Sequence, residues 1–424
     1  MTDQTVPLRR HRGFRRFWAA STISDGGTYI SVFAVGVLIV ADLGGTATDV
    51  GIVRGAGVVP YLAVGLFAGV LADRVRRKPL LVGTDLGRAV VLAGVPLLAA
   101  TGHLNVPVLA ALMVVFGLLS VLNAAAHQSF LPRLLPRELL PRANARLQQS
   151  DAVAQTTGPL LGGGLVAAIG APLTVLVDAV SYALSGLLIA AVPVRDPAPR
   201  PTAMSVLAEL REGASWVYRH PTLRPLALST HGWFLFNAVF VTVYVPYAYL
   251  ELGIGATGLG VTFALAGVGA LLGSSVSELL GRRVGIPGTI AGSRVLEAGG
   301  IAVIALAGST EGTAVVVVAA AGQLVYGLGF GAEGPIELAY RQAVTPDRLQ
   351  GRTNATMRSL NRAVVVVGAP LGGLLADAAG PGPALWLGSA GIATVALLLG
   401  VSGFRTASRD DQPPAESAPS AQFE

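Results

Sequence analysis

Asp25, Glu297, Glu333 and Glu337 are carboxylates set within long apolar runs, where an acid is costly to bury and so faces a cavity or a partner. Asp25 stands about eight residues into its run, and Tyr29 and Phe33 follow it at helical spacing. A desolvated carboxylate there can take up and release a proton, which ranks Asp25 first among sites of reversible protonation. Glu333 and Glu337 lie four residues apart around Gly334 and Pro335, with Arg341 one turn further. Two like charges on one helical face disfavour joint ionisation, so this pair ranks second. Glu297 follows Arg294 by three residues, and Asp85 precedes Arg88 by three. At that spacing opposite charges neutralise each other, and both pairs read as structural. Asp178, Arg54 and Asp377 fall toward the far ends of their runs, where gating or snorkelling fits better.

A second chemical signal is aromatic. Trp233, Phe236, Phe240, Tyr244 and Tyr247 recur at spacings of three and four and form one helical stripe, with Asn237 beside it. Seven of the chain's 26 aromatic residues lie between Trp233 and Tyr249. Facing Tyr29 and Phe33, such a wall would hold a bulky apolar, aromatic or cationic ligand by stacking and cation–π contact. The competing account is a stripe facing lipid.

The elements that carry these residues belong in a bilayer. Of 424 residues, 52% are hydrophobic and 13% charged, whereas soluble domains carry about 25% charge. Cysteine is absent, which removes disulfides and thiolate chemistry. The five histidines show no metal-ligand spacing, and no phosphate-cradling glycine loop is present, so neither metal, cofactor nor nucleotide is expected. About twelve runs reach the roughly 20 residues a crossing needs: 17–40, 50–72, 80–101, 106–127, 150–170, 173–193, 225–249, 257–280, 286–308, 313–334, 359–379 and 383–403.

The chain is also duplicated. Pro136, Leu139, Arg142, Asn144, Ala145, Gly158, Leu161, Gly162 and Gly163 reappear 210 positions later as Pro346, Leu349, Arg352, Asn354, Ala355, Gly368, Leu371, Gly372 and Gly373. Asn123 and His127 are the first-half counterparts of Glu333 and Glu337. Duplicated halves in so apolar a chain point to a transporter whose site lies between them. The division is an N-terminal tail 1–16, a half 17–194, a linker 195–220, a half 221–404 and a disordered tail 405–424. Proline punctuates the start of the linker, and Met204 to His220 has the pattern of an amphipathic interfacial helix.

Arginines fall on alternate connections: Arg9 to Arg16, Arg74 to Lys78, Arg133 to Arg146, Arg195 to Arg224, Arg282 with Arg283, Arg341 to Arg358, and Arg405 with Arg409. The opposite connections hold none, so both termini are expected in the cytoplasm of a plasma-membrane protein. The high pI then reflects loops facing anionic lipid, and no nucleic-acid partner is expected.

Gly69, Asp73, Arg74, Arg77 and Lys78, between the second and third spans, resemble the signature loop of the major facilitator superfamily, and the resemblance extends over nearly the whole chain. Gly158, Pro159, Gly162 and Gly163 in the fifth span resemble its proton-coupled exporters' glycine–proline motif. Phe14 to Trp18 and the segment from Leu131 to Ala145 resemble the drug and siderophore exporters grouped with macrolide efflux and enterobactin export proteins. Two features depart from the pattern: Arg76 replaces a second loop glycine, and the fourth span has no arginine.

This resemblance implies an all-α membrane protein with about twelve transmembrane helices in two pseudo-symmetric six-helix halves. It places Asp73 against the start of the eleventh span, near Asn354 to Arg362, as a conformational switch. It implies a non-enzymatic exporter of small amphipathic compounds by proton antiport, with a siderophore or secondary-metabolite exporter and a lysophospholipid flippase as alternatives. The partners expected are a small-molecule substrate, protons and membrane lipid. One chain holds both halves of the pathway, so a monomer suffices.

Overall fold

The computed structural model describes residues 8, 11–65, 75–194, 206–408 and 411. Six helices build the first half: α1 (Arg12–Val37), α2 (Ala47–Ala63), α3 (Arg77–Ala100), α4 (Val106–Leu134), α5 (Leu140–Ile169) and α6 (Ala171–Ala190). A linker helix, α7 (Val206–Arg219), leads to α8 (Leu223–Pro246), α9 (Ala256–Arg283), α10 (Gly285–Leu306), α11 (Thr313–Ala343), α12 (Asp347–Ala379) and α13 (Pro381–Val401). Eleven described helices are long and apolar enough to cross a membrane. The twelfth span is α2, described over 17 residues up to a segment that lies outside the description.

The 210-residue repeat is visible in the backbone. α1 and α8 each pass into a single π-helical turn, at Leu38–Asp42 and Tyr247–Glu251. Gly170 (φ 82°) and Gly380 (φ 93°) make the one-residue turns from α5 to α6 and from α12 to α13. Both lie in the left-handed region that favours glycine. Thr46 starts α2 with a capping box: its side chain accepts from Asp49 N, and its N–H donates to Asp49 Oδ2 at 2.8 Å.

Several helices outrun their apolar stretches at the end of the molecule that carries both termini, here the terminal face. α5 begins at Leu140, α12 at Asp347 and α1 at Arg12, and α11 continues to Ala343. The expected boundaries at 150, 359, 17 and 334 followed hydropathy, whereas backbone hydrogen bonding carries each helix on as a polar rod beyond the apolar zone. The linker helix forms over Val206–Arg219, while residues 195–205 fall outside the description. Gly403–Thr406 makes one 3-10 turn, and the rest of the tail is described only at 407, 408 and 411.

Small residues set the helix spacing. A Cβ at Gly269, Gly273, Gly327 or Gly331 would stand 2.0–2.2 Å from a carbonyl oxygen of the facing helix, so α9 and α11 meet backbone to backbone. Gly300 of α10 and Gly322 of α11 do the same one helix over. These contacts lock α10 and α11 in the register that builds the site.

The two halves touch through matching pairs, α5 with α9 and α12 with α2. A Cβ on Gly163 would sit 2.6 Å from Ala256 O, and one on Gly260 would sit 2.8 Å from Pro159 O. In the related pair, Gly373 faces Ala47 O (2.4 Å) and Gly51 faces Ala369 O (2.4 Å). These contacts gather at the face opposite the termini and seal it.

Candidate functional site

Toward the terminal face the same helices diverge and leave a cavity of about 770 Å³ between the halves. α5 contributes Gln148, Asp151 and Gln155, and α8 contributes Thr230, Trp233 and Phe234. Ala270 and Ser274 of α9 and Glu297 of α10 add to the wall. α11 supplies Phe330, Glu333, Glu337 and Arg341, and α12 supplies Asn354, Arg358 and Asn361. The volume suits a drug-sized molecule.

One buried guanidinium organises the second-half wall. Arg294 is fully buried. Its Nε donates to Glu333 Oε1 (3.0 Å) and Oε2 (3.1 Å), and its Nη2 donates to Glu333 Oε1 (2.6 Å) and Thr230 Oγ1 (3.1 Å). Nη1 donates to Ser229 Oγ, and Nη2 lies 3.5 Å from Glu337 Oε2. Arg341 reaches Glu337 at 3.4 Å. The expected Arg294–Glu297 neutralisation is therefore not what forms. Arg294 precedes its acid, the weaker order for a helical pair, and the glycine-set register of α10 on α11 offers Glu333 instead. Glu297 is 1% exposed, and its Oε2 accepts the indole N–H of Trp233. The Asp85–Arg88 pair, acid first, does form, and Asp85 also accepts from Asn123 (2.9 Å) and Ser185 (2.8 Å).

In the first half Tyr29 donates to Asp151 Oδ1 at 3.1 Å, bringing α1 and α5 together at the cavity edge. Asp25 is half-buried one turn before Tyr29 on α1, and it is not among the cavity-lining residues. His127 shares a hydrogen bond with Ser21 at 2.9 Å.

The aromatic stripe divides. Trp233 borders the cavity and stacks on Phe330, with ring centres 6.0 Å apart and 21° between planes. Phe330 stacks in turn on Tyr326 (6.3 Å, 12°). Phe240 and Tyr244 are buried beyond it, Phe240 against Tyr326 and Tyr244 donating to Thr262 at 2.6 Å. Asn237 accepts from Tyr326 at 2.8 Å. Phe33 packs edge-on against Phe263. Phe236 turns away to fill the space at Gly391 of α13. At about 100° per residue it sits at the edge of the stripe's arc. Of the eight side chains expected to wall the cavity, Trp233 alone lines it in this conformation, because the sealed half of the pathway encloses the deeper ones. The sequence reading did not mark Phe330, although Tyr326 four residues before it was the signal that could have found it.

The glycine–proline motif serves two neighbours. Gly158 and Gly162 admit Tyr29 and Phe33 of α1, while Gly163 and the Pro159 carbonyl face α9. Of the loop residues, Arg77 donates to Ser129 (2.9 Å) and Lys78 to Val192 O (2.9 Å). Gly69, Asp73 and Arg74 lie outside the described residues, as does their expected contact with α12.

Two six-helix halves around one cavity, sealed at one face and open at the other, form a transporter's architecture. The sequence matches the family described as transmembrane secretion effector across residues 2–424. The chain belongs to this family of major facilitator superfamily transporters. It is a multi-pass membrane transporter and not an enzyme. It is 28% identical over 375 residues to the multidrug efflux pump Tap of Mycolicibacterium fortuitum, covering 85% of this chain and 88% of that one. A bacterial homologue of the iron transporter ferroportin in an inward-facing state shares the fold with a TM-score of 0.73 at 16% identity, over 93% of this chain and 98% of that one. A bacterial homologue of the lysosomal transporter Spinster matches with a TM-score of 0.71 at 14% identity, over 95% and 99% of the two chains.

Proposed function

We propose that this transporter is a secondary active exporter of small amphipathic organic compounds, working by proton antiport and alternating access. The observation that carries the proposal is the placement of Glu333 and Glu337, which share Arg294, beside Glu297 in the wall of a cavity open at one face only. Acids sharing one guanidinium away from bulk water exchange protons at a cost that depends on whether water or substrate fills the cavity. The arginine-bearing connections support a cytoplasmic terminal face, and in that reading this conformation opens inward, ready to load cargo from the cell. The name of the mycobacterial relative, a multidrug efflux pump, supports export and a broad substrate class.

In the cycle, substrate enters beside Trp233 and Phe330, the halves rock, and the glycine contacts of the sealed face part. A proton taken up from outside resets the carboxylate cluster and is released inside. Asp25, next to the first-half wall, competes for the coupling role on sequence grounds, but it shares no cation as the Arg294 acids do.

Inside-out vesicles holding an imposed pH gradient test the proposal with a panel of cationic dyes, macrolides and catecholate siderophores. Substrate-dependent proton movement that survives Asp25→Asn and disappears in Glu333→Gln is the expected result. Loss in Asp25→Asn alone transfers coupling to the first half. Absence of proton movement with every compound, in vesicles carrying folded protein, refutes antiport for this class of substrate.

A further inference from the structure

Charge matching along the second-half wall leaves one carboxylate over, while across the cavity Asp151 is held by the Tyr29 hydroxyl. Arg294 serves Glu333 and approaches Glu337, and Arg341 serves Glu337. Glu297 has no salt-bridge cation: Oε2 is held by the Trp233 indole, and Oε1 is buried without a hydrogen-bond partner. A buried carboxylate in that situation must be neutralised, by a proton or by a cation brought from outside. The second option has a place to sit. Trp233 holds the glutamate on one side and stacks on Phe330 on the other, while Phe330 is 40% exposed and borders the same cavity. A cation bearing aromatic rings, one of them set against these side chains, would meet their negative π-faces and bring its charge toward Glu297.

We propose that Glu297, Trp233 and Phe330 form the charge-recognising subsite of the pathway, and that it takes monovalent organic cations bearing aromatic groups. The proposal rests on the export function above and narrows its substrate class. Glu297 then holds either a proton or the cargo's charge, never both, which ties cargo binding to proton release at one side chain. Glu333 and Glu337 stay engaged with Arg294 and Arg341 throughout and fix the field in which Glu297 works. The other charged or titratable groups facing this region are Asp151 on α5 and Arg358 on α12, which line the same cavity, with Tyr326 on α11 and, beside it, Arg54 on α2.

The test is equilibrium binding of tetraphenylphosphonium to the purified full-length transporter in lipid nanodiscs, with proton release followed by a pH dye. The wild type is expected to bind it and release a proton on binding. Glu297→Gln should weaken binding about tenfold or more and abolish the release, Glu297→Asp should restore part of both, and Trp233→Phe should weaken binding while keeping the release. Thermal unfolding shows whether each variant is folded, and Trp233→Phe keeps the test decisive if Glu297→Gln fails to fold. Equal affinity in wild type, Glu297→Gln and Trp233→Phe, or no binding to folded wild type, overturns the subsite. Vesicle proton movement that persists in Glu297→Gln sinks the subsite and spares the exporter. Binding with proton release in nanodiscs but no flux in vesicles does the reverse.

Discussion

Asp377 should act as a latch that holds the face opposite the termini shut. It lies two residues from the end of α12, and its carboxylate crosses to the other half to receive the first two amides of α2. Ala47 N donates to Oδ1 and Thr48 N to Oδ2, both at 3.0 Å. Thr46 accepts from the third amide, Asp49 N, so every donor of the first turn is satisfied only while the halves are together. A side-chain N-cap contributes about 1 kcal/mol, and a negative charge at a helix start adds roughly 0.3–1 kcal/mol. Water replaces both bonds when the face opens, and Asp377 is itself exposed, so the lower sum of about 1 kcal/mol is the working figure. Because the contact exists in one state only, that energy appears wholly in the equilibrium between states. Asp377→Ala should therefore raise the odds of the opened state about fivefold, at 1.4 kcal/mol per tenfold, and Asp377→Asn, which keeps one acceptor, by less.

The chain contains no cysteine, so spin labels can be placed at will. His103→Cys in the α3–α4 connection and Pro383→Cys at the start of α13 put one exposed label on each half at the sealed face. Double electron–electron resonance between them should show the longer-distance population growing in the order wild type, Asp377→Asn, Asp377→Ala. Identical distance distributions in all three, with folded protein, would refute the latch.

Three further outcomes follow from the same contacts. Gly373→Ala would place a Cβ 2.4 Å from Ala47 O and Gly163→Ala one 2.6 Å from Ala256 O; overpacking of this kind costs about 1–3 kcal/mol, and both should shift the same label pair toward longer distance. Arg294→Met strips Glu333 and Glu337 of their shared cation and should cost about 3–5 kcal/mol, seen as a large drop in melting temperature. Outside the membrane, the His220 ring accepts from the amides of Thr222 and Leu223 where α8 begins, and burial lowers its pKa from 6.5 against the opposing pull of Asp411. Only the neutral ring accepts, so its stabilisation is present above 6.5 and fades as pH falls below; His220→Gln should remove that share of the wild type's acid-induced loss of melting temperature.

The helices were legible because burying peptide groups in lipid forces long apolar helices, and the 210-residue repeat carried over to matching π-helical turns and matching glycine turns. Less legible was what lies beyond the apolar zone. The first two turns of α5 and α12 carry Arg142, Arg146, Arg348 and Arg352, polar residues that look like loop until hydrogen bonding is counted. The site was read in part. Glu297, Glu333, Glu337 and Trp233 stand out as costly or bulky residues in apolar runs, and the structure gathers them. The partner of Arg294 was not readable, because helical spacing favours a neighbour on the same helix while the actual partner is set by glycines between α10 and α11. Nor was the split of the aromatic stripe, which depends on where the halves are sealed.

The repeat also separates charge that folds the protein from charge that works. Shifted by 210 residues, Arg294 falls on Thr84 and Glu333 on Asn123, and in the first half that pair is joined by a neutral hydrogen bond, Asn123 Nδ2 to Thr84 Oγ1 at 2.8 Å. At these two positions one backbone arrangement thus carries a neutral bond in one half and a buried ion pair in the other, the first half holding its own pair, Asp85–Arg88, against Asn123, so charge at these two positions is not what the arrangement needs to form. Buried pairs are often matched in stability by neutral replacements, whereas removing one partner alone is costly. The double variant Arg294→Thr, Glu333→Asn copies the first-half pair into the second half, and the volume it vacates opens on the cavity, where water can enter. It should melt within about 1 kcal/mol of the wild type, well above Arg294→Met, while losing substrate-driven proton movement in inside-out vesicles. A double variant as unstable as Arg294→Met would show that the charges hold the second half together. One that still moves protons would show that Arg294 and Glu333 are not part of the coupling machinery.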